Sequence, residues 1–374
     1  MAKDKKFTII VPTYNHPDTL FHTLLTIFEA KLEEDTEVLV VDNSTNDDTE
    51  EVCHQFSVRY VRNRETQGMR LNWDYAVSCV KTEYFTIIGD DDGFVPDSME
   101  VVRALLQAQP VDVLFWSPHL YWWPDAALPF RRNSLAINVP KMEAARDTHF
   151  YHVKSFIDNQ ENPWSFESLP GPYNGFVKKS VMDKIKTKVG CYFPHNSADV
   201  YSGCMVGIYA ESSLMLQYPI TVRGLSGGSG GVGFRGENWK ETFERRKEEL
   251  TETCGDELIV SSTVAIHCTA VKLLIKELFP TKFGYFNIDA DKLSNGMLTE
   301  IYENKDRRDQ ILDEVRALCK KYNIEKDLSY WEKTDFAYPT KPVGVRGNSI
   351  GVDGSIIGIK NIRDACRLTK AIVG

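Results

Sequence analysis

The first part of the chain alternates short apolar runs rich in β-branched residues with segments whose apolar positions recur every three or four residues. Runs of the first kind are typical of buried strands, and segments of the second kind are typical of amphipathic helices. This alternation predicts an α/β fold with a mostly parallel sheet covered by helices. The predicted strands are Phe7–Val11, Glu37–Val41, Val58–Val61, Tyr84–Ile88 and Val111–Trp116.

Two of the predicted helices lie between these strands. Pro17 suits the first position of a helix, and apolar residues follow it at helical spacing as far as Phe28. The segment from Gly68 to Val80 shows the same periodicity. Because ligands of such sheets bind at the carboxyl ends of the strands, the loops after the strands are the first place to look for a site.

The rest of the chain changes character twice. Residues 117–236 have a less regular pattern rich in aromatic residues and proline, which predicts a region that completes the sheet and faces a different ligand, after a first region at 1–116. Residues 237–374 are predicted to be mainly helical, with helical patterns at Leu258–Leu278 and Leu298–Leu318. The aromatic segment Phe115–Pro124 is expected to pack in the core, with acceptor stacking or contact with a membrane surface as alternatives.

Composition narrows the class of protein. The 374 residues are 42% hydrophobic and include 44 Lys and Arg against 53 Asp and Glu, a net charge of −9. These values are typical of a soluble globular protein of two or three structural units, and the acidity argues against nucleic-acid binding. The chain has no signal-peptide pattern, no apolar stretch of membrane-spanning length and no CxxC pair among its eight cysteines. We therefore expect a cytoplasmic protein.

Acidic residues cluster directly after one of the predicted strands. Tyr84–Ile88 is followed by Gly89-Asp90-Asp91-Asp92-Gly93. Three adjacent carboxylates repel one another, and a hard divalent cation would relieve that repulsion. The alternative interpretation is a solvated acidic turn without a ligand.

Polar residues also follow the first two predicted strands. Thr13, Tyr14 and Asn15 come after the first strand, and Asp42 ends the second. A tyrosine there can stack on a base, and an acid can accept a hydrogen bond from a base or a ribose. Each signal is weak alone, because Tyr14 could pack in the core and Asp42 could cap a helix.

Taken together, these segments resemble the nucleotide-sugar-binding half of the family 2 glycosyltransferases, over roughly residues 7–105. The resemblance implies a GT-A fold, which is a Rossmann-like sheet flanked by helices, here with a helical C-terminal extension. It also implies an inverting transferase with a nucleoside-diphosphate sugar as donor, UDP as the expected nucleotide, and Mn²⁺ or Mg²⁺ as cofactor. The acceptor would be a hydroxyl of a glycan or a lipid-linked saccharide, in polysaccharide assembly at or near the inner face of the cell membrane.

The same resemblance implies roles for individual residues. Four positions would line the base and ribose, Asp42 would accept from the base, and three further positions would complete the nucleotide pocket. The leading aspartate of the family's acidic run is Gly89 here, so Asp91 and Asp92 are the expected metal ligands, with Asp90 near the ribose or a metal-bound water. The four lining residues are Pro12, Thr13, Tyr14 and Asn15, and the three further ones are Asn63, Gly68 and Arg70.

The family's catalytic base closes an acidic pair at a helix start, and Asp199 is the best match. The preceding acid is Ala198 here, so the match is partial, and Asp199 as a simple helix N-cap is the alternative. Arg235, in the glycine-dense loop from Gly224 to Gly236, could contact the diphosphate or could be a solvated loop residue.

Other functions fit the sequence less well. Gly228–Gly233 matches a dinucleotide fingerprint but no βαβ unit follows it, and the G-x-S-x-G match around Ser226 has only His267 after it. A sugar nucleotidyltransferase would need a glycine-rich loop after the first strand. A non-catalytic nucleotide- or carbohydrate-binding protein stays open because of Gly89 and Ala198. Peripheral membrane association and self-assembly also stay open.

Overall fold

The computed structural model describes residues 5–138, 144–229, 239–337, 339–341 and 343–373. The strands are β1 (Phe7–Thr13), β2 (Thr36–Asp42), β3 (Arg59–Arg62), β4 (Tyr84–Ile87), β5 (Gly93–Phe94), β6 (Val113–Trp116), β7 (His119–Trp122), β8 (Ser134–Asn138), β9 (Ala144–Arg146), β10 (Gly175–Lys178), β11 (Ser213–Leu216), β12 (Thr221–Leu225), β13 (Gly344–Arg346) and β14 (Ser349–Asp353). The helices are α1 (Pro17–Glu29), α2 (Asp48–Cys53), α3 (Met69–Ser78), α4 (Ser98–Ala108), α5 (His149–Asp158), α6 (Lys179–Val189), α7 (Ala198–Tyr209), α8 (Trp239–Arg245), α9 (Lys247–Cys254), α10 (Val264–Leu278), α11 (Pro280–Phe283), α12 (Ala290–Thr299), α13 (Arg308–Tyr322), α14 (Ser329–Lys333), α15 (Gly354–Ile357) and α16 (Ile362–Val373).

The main sheet has eight strands in the order β3-β2-β1-β4-β10-β6-β11-β9. The neighbours from β3 to β4 are parallel, and β10 joins this half to β6 by antiparallel pairing. The five strands predicted from the sequence are present as β1 to β4 and β6, with ends shifted by up to two residues. The α/β fold with a helix-flanked, mostly parallel sheet is therefore confirmed.

Helices cover both faces of the main sheet. On one face, α1 and α4 bury apolar side chains such as Leu24, Ile27 and Val102. On the other face, α3, α5, α6 and α7 bury a second apolar cluster. Pro17 is at the start of α1, and Gly68 is the residue before α3, as the sequence predicts.

A second sheet of six strands has the order β13-β14-β8-β7-β12-β5. The aromatic segment predicted to pack in the core supplies β7, and its residues Trp116, Tyr121, Trp122 and Trp123 are all buried. Core packing of these rings is therefore confirmed. Strand β12 pairs with both β7 and β5, and it therefore lies beside the three adjacent aspartates at residues 90–92.

The helical region has an apolar core of its own, built by α10, α12 and α13. The helical pattern predicted over Leu298–Leu318 is interrupted, because α12 ends at Thr299 and α13 begins at Arg308. Buried Asn304 lies in this break and donates from its side chain to the Glu300 carbonyl oxygen at 2.9 Å, which closes the preceding turn. Periodicity alone does not reveal such a polar stop.

The last part of the chain returns to the second sheet. Strand β14 pairs with β8, and α16 packs on α1 and β12. The boundary placed at residue 237 stays a prediction, but residues 344–373 add strands and a helix to the first half of the molecule. None of the helices that the structure describes combines the length and the apolar character needed to cross a membrane.

Candidate active site

The polar loops predicted to form a site meet at one edge of the main sheet. Thr13 of β1 is paired in register with Asp42 of β2, and Asp42 is paired with Arg62 of β3. The amide of Ile88 donates to the Ile10 carbonyl, which brings the aspartate run beside the end of β1. The carboxyl ends of four strands therefore lie together, as expected of a parallel sheet that binds a ligand.

Asp91 is buried, with one carboxylate oxygen held by the protein. Its Oδ2 accepts hydrogen bonds from the Ser226 amide at 3.0 Å and the Ser226 hydroxyl at 2.7 Å. Burial raises the pKa of Asp91, the charges of Asp92 and Asp90 raise it further, and the bonds from Ser226 oppose both effects. Its Oδ1 accepts no hydrogen bond within the described part of the chain, so this oxygen is available to a ligand.

Both carboxylate oxygens of Asp92, unlike those of Asp91, accept hydrogen bonds within the protein. Oδ1 accepts from the Gly224 amide at 2.7 Å, and Oδ2 accepts from the Gly89 amide at 2.7 Å and the Tyr173 hydroxyl at 2.9 Å. Burial raises the pKa of Asp92 although these donors oppose it. Asp92 therefore connects β12 and Tyr173 to the turn of residues 89–92, which is called the aspartate turn below.

Asp90 lies at the mouth of the turn. Its Oδ2 accepts a hydrogen bond from the Thr13 hydroxyl at 2.6 Å and lies 3.3 Å from Nδ1 of His16. The hydrogen bond with Asp90 raises the pKa of His16 against the effect of burial. A Cβ atom built on Gly228 would lie 2.3 Å from Nε2 of His16, so only glycine allows the loop after β12 to approach this ring so closely.

Of the two predicted metal ligands only Asp91 has an open carboxylate oxygen, and the described residues hold no cluster of three or more His, Cys, Asp or Glu side chains arranged to bind a metal ion. Mg²⁺ and Mn²⁺ prefer carboxylate oxygens and commonly use one or two of them together with substrate phosphates. The open Oδ1 of buried Asp91 suits that role, whereas both oxygens of Asp92 are already hydrogen-bonded. A Cβ atom at Gly89 would lie 3.0 Å from Asp91 Oδ1 and 3.1 Å from Asp92 Oδ2, so a fourth carboxylate at this position would crowd the turn.

The residues predicted to surround the base and ribose lie at the same edge. Pro12 and Thr13 are buried at the end of β1, whereas Tyr14 is 45% exposed and its ring is open to stacking. Asn15 adopts a left-handed conformation, with φ of 56°, and its side chain accepts from the Thr45 amide at 2.9 Å. The loops after β1 and β2 are therefore tied together.

Asp42 does not face open space. It is fully buried, and its two oxygens accept from the Ser44 amide at 2.8 Å and from the Tyr60 hydroxyl at 2.7 Å. Because Asp42 is fully buried, contact with a base would require the residues that cover it to move, and its predicted role stays a prediction.

Asn63 and Arg70 connect the edge of the main sheet to α3 and to the loop before α7. The side chain of Asn63 donates to Asn43 at 3.0 Å and to Asn72 of α3 at 2.7 Å. Arg70 donates to the Phe193 carbonyl at 3.0 Å, in the loop that leads to α7. Gly68 lies beside them with open space around its Cα, since a Cβ there would meet no atom within 4 Å.

Asp199 lies in the first turn of α7 and is half-buried. The N-cap of α7 is Ser197, so the alternative that Asp199 is the cap is wrong. The Asp199 carboxylate accepts no hydrogen bond from the residues that the structure describes. Arg235, the loop arginine predicted for the diphosphate, lies outside the described residues.

Arg223 connects Asp199 to the aspartate turn. Burial alone would lower the pKa of Arg223, but four surrounding acidic groups outweigh burial and raise that pKa. They are Tyr173, Glu167, Asp92 and Asp199. The guanidinium lies over the ring of Tyr173, 5.3 Å from its centroid. Asp92 and Asp199 therefore lie within electrostatic range of the same cation.

Comparison with known proteins agrees with this arrangement. Residues 8–181 match the family model described as glycosyl transferase family 2. This part of the chain is a family 2 glycosyltransferase domain. The matched range includes the aspartate turn and Tyr173, whereas Asp199 and β12 lie after it.

The relatives of the family 2 domain are distant. Abequosyltransferase RfbV of Salmonella typhimurium is 31% identical over 106 residues, which cover 26% of this chain and 32% of RfbV. Glycosyltransferase GlyG of Streptococcus pneumoniae is 21% identical over 193 residues, which cover 50% of this chain and 61% of GlyG. Both matches thus span less than two thirds of the relative's length.

Among solved structures, S. aureus TarS 1-349 in complex with UDP-GlcNAc aligns with a TM-score of 0.47 and 15% identity. This alignment covers 85% of this chain and 91% of that one.

Sequence reasoning missed four residues near the family 2 motifs, namely His16, Tyr173, Arg223 and Ser226. His16 directly follows the polar run after β1, so adjacency could have flagged it. The others reach the aspartate turn from segments far away in sequence. The sequence around Ser226 suggests only a hydrolase nucleophile, but its hydroxyl instead donates to Asp91.

Proposed function

We propose that the protein is a metal-dependent inverting glycosyltransferase that moves a sugar from a nucleoside-diphosphate donor to a hydroxyl of a glycan or lipid-linked acceptor. UDP is the expected nucleotide of the donor. The observation that supports this most is the aspartate turn of a family 2 domain, in which one oxygen of buried Asp91 has no hydrogen-bond partner among the described residues and lies at the ligand-binding edge of the sheet. The named relatives with abequosyl- and glycosyltransferase activity support the same class of reaction.

The donor half of the site would bind the nucleotide. The exposed ring of Tyr14 is available to stack on a base. Asp91 through Oδ1, with Asp90 beside it, would hold Mn²⁺ or Mg²⁺. Such an ion, when bound, stabilises negative charge on the departing diphosphate.

The acceptor half would supply the base. Asp199 is half-buried, carries no hydrogen bond on its carboxylate within the described residues, and lies in the electrostatic neighbourhood of the aspartate turn through Arg223. It would accept the proton of the attacking hydroxyl as the sugar–phosphate bond breaks. Attack from the face opposite the diphosphate would invert the configuration at the anomeric carbon.

The test is binding and turnover with a panel of UDP-, GDP- and dTDP-sugars in the presence of Mn²⁺. The wild-type protein should release nucleoside diphosphate, and Asp91→Asn should abolish the Mn²⁺-dependent part of UDP binding measured by calorimetry. Lys31→Met, a surface change at a side chain that is 54% exposed, is a control that should bind as the wild type does. Unchanged Mn²⁺-dependent affinity in Asp91→Asn would remove Asp91 from its role.

A second candidate function is nucleotide or carbohydrate binding without transfer. Ala198 in place of the family's preceding acid and Gly89 in place of its leading aspartate favour it. Intact nucleotide binding without any turnover in the wild type would select this function over the first.

A further inference from the structure

Arg223 is a largely buried cation whose hydrogen-bonding capacity is not filled by the residues that the structure describes. Its side chain is 15% exposed, and Nε has no hydrogen-bond partner among the described residues. Its Nη1 lies 3.8 Å from Oε1 of Glu167, which is beyond hydrogen-bond distance. Because burying a donor without an acceptor is unfavourable, an unfilled guanidinium at a site edge indicates a place for a ligand oxygen.

The position of this guanidinium is fixed from the side of the aspartate turn. The residue after Arg223 is Gly224, whose amide donates to Asp92. The guanidinium stacks on Tyr173, and the hydroxyl of Tyr173 also donates to Asp92. The backbone and the stacking partner of Arg223 are therefore both anchored to one buried carboxylate, so the guanidinium is preorganised.

The negative charges around Arg223 favour a hydroxyl oxygen over a phosphate oxygen as its ligand. The carboxylates of Glu167, Asp92 and Asp199 all act on Arg223, and none lies within 4.0 Å of its nitrogens apart from the 3.8 Å approach of Glu167. A phosphate placed there would meet these negative charges. A neutral hydroxyl would instead accept a hydrogen bond from the guanidinium and donate one to a carboxylate, so it satisfies both groups.

We propose that Arg223 binds a sugar hydroxyl, donating a hydrogen bond to the hydroxyl oxygen while a neighbouring carboxylate accepts a hydrogen bond from the same hydroxyl. This inference rests on the proposed function and extends it by assigning a sugar-binding residue outside the matched family range. The hydroxyl belongs either to the transferred sugar or to the acceptor sugar, and the chemistry of recognition is the same for both.

The variants Arg223→Gln and Arg223→Lys test the proposal. Arg103→Gln is the matched control, because Arg103 is also buried, with 12% of its side chain exposed, and lies on α4, where it is paired with Asp35. Affinities for UDP and UMP with Mn²⁺ report on the nucleotide and the phosphates. Hydrolysis of UDP-glucose, UDP-galactose and UDP-N-acetylglucosamine by water reports on the donor sugar, and transfer to p-nitrophenyl glycosides reports on the acceptor.

We expect both Arg223 variants to bind UDP and UMP within about twofold of the wild type. If the hydroxyl is on the donor, kcat/KM for hydrolysis should fall about tenfold or more. If it is on the acceptor, hydrolysis should be unchanged while the KM for the glycoside rises about tenfold or more. Either result supports the proposal, and Arg103→Gln should change none of these values.

Two results would overturn it. A tenfold loss of UDP affinity with unchanged UMP affinity would assign Arg223 to the β-phosphate. Unchanged hydrolysis and transfer in a folded Arg223→Gln protein would make the residue structural. A wild-type protein that neither binds nor turns over any sugar nucleotide would overturn the proposed function and this inference together, whereas the two results above leave the proposed function standing.

Discussion

The site has a nucleotide half at the ends of β1 to β3 and an acceptor half around Arg223 and Asp199. The two halves differ in how many of their polar groups are hydrogen-bonded within the protein. On the nucleotide half, loops after β1, β2 and β3 are joined by short hydrogen bonds, such as Asn15 to Thr45 and Asn63 to Asn72. On the other half, Nη1 of Arg223 lies 3.8 Å from Oε1 of Glu167, beyond hydrogen-bond distance, and Nε of Arg223 has no partner among the described residues. The loops of the first half are therefore held together by the protein itself, whereas the guanidinium of the second half is not fully hydrogen-bonded within the described residues.

Under the proposed function, this difference would hold the nucleotide in one geometry and leave the sugar-binding side to be completed by its substrate. A satisfied network holds loops in one geometry, which suits recognition of a nucleotide of constant shape. Unfilled donors and acceptors are satisfied only when a substrate supplies the matching groups, which makes binding selective. The following experiments break one half at a time.

The largest effect should come from Asp199→Asn. Asparagine keeps the shape of the side chain but cannot take a proton, so kcat should fall by roughly 10²–10⁴-fold while UDP affinity stays unchanged. Steady-state kinetics and calorimetry measure the two quantities. Asp309→Asn, also in the first turn of a helix but 89% exposed, is the control. Near-normal kcat in Asp199→Asn would place the base elsewhere.

Gly224→Ala should disrupt the hydrogen-bonded contact between β12 and the aspartate turn. An added Cβ would lie 1.8 Å from the Asp91 carbonyl oxygen, a backbone atom that cannot move without the aspartate turn. The free energy of unfolding should fall by roughly 3 kcal/mol, with loss of UDP binding. Gly68→Ala is the matched control, because it has open space and an ordinary φ of −60°. Equal stability of the two variants in urea would contradict the packing described here.

Acid should weaken the second sheet through His119. This side chain is buried in β7, its Nδ1 accepts from the Asn138 amide at 3.0 Å, and burial lowers its pKa to about 4. The unfolded chain takes up a proton near pH 6.5 and the fold does not, so the stability from neutral His119 is present above that pH and is lost as pH falls towards 4.

His119→Asn removes this proton uptake and keeps an acceptor for Asn138. The loss of unfolding free energy between pH 7 and pH 5 should therefore be about 2 kcal/mol smaller than in the wild type. Urea denaturation at the two pH values gives the difference. His54→Asn, at a side chain that is 74% exposed, should leave the wild-type difference unchanged, and an identical pH dependence in both variants would refute the assignment.

The smallest effect should come from Tyr173→Phe. The change removes the hydroxyl that donates to Asp92 and keeps the ring under Arg223, so stability should fall by about 1 kcal/mol. Tyr151→Phe, at a residue that is 69% exposed, is the control. A loss of sugar selectivity in Tyr173→Phe without a loss of stability would move the sugar contact from Arg223 to this hydroxyl.

The sequence predicts the nucleotide half better than the acceptor half. Residues such as Thr13, Asp42 and Asp91 follow apolar strands whose pattern is plain, and parallel pairing then brings those strand ends together. The elements around Arg223 instead pair over long sequence distances, as in the contact of β12 with β5, and no local pattern predicts that pairing. Such positions become visible only when the tertiary fold is known.

The same limit applies to the role of each aspartate. Adjacent residues Asp91 and Asp92 are equivalent in the sequence, and only their partners distinguish them. Ser226 leaves one oxygen of Asp91 open, whereas Gly89, Gly224 and Tyr173 occupy both oxygens of Asp92.

Helix α16 packs against the back of the aspartate turn. A Cβ on Gly93 would lie 2.6 Å from Sγ of Cys366 and 2.9 Å from Ile362, and Glu29 of α1 is paired with Arg363 and Arg367. During translation, the turn that carries Asp91 is therefore made long before the segment that supports it. Because α16 follows the helical region in sequence, the amino-terminal half can reach its final packing only after residues 362–373 have left the ribosome, so it cannot finish folding before the helical region has been made.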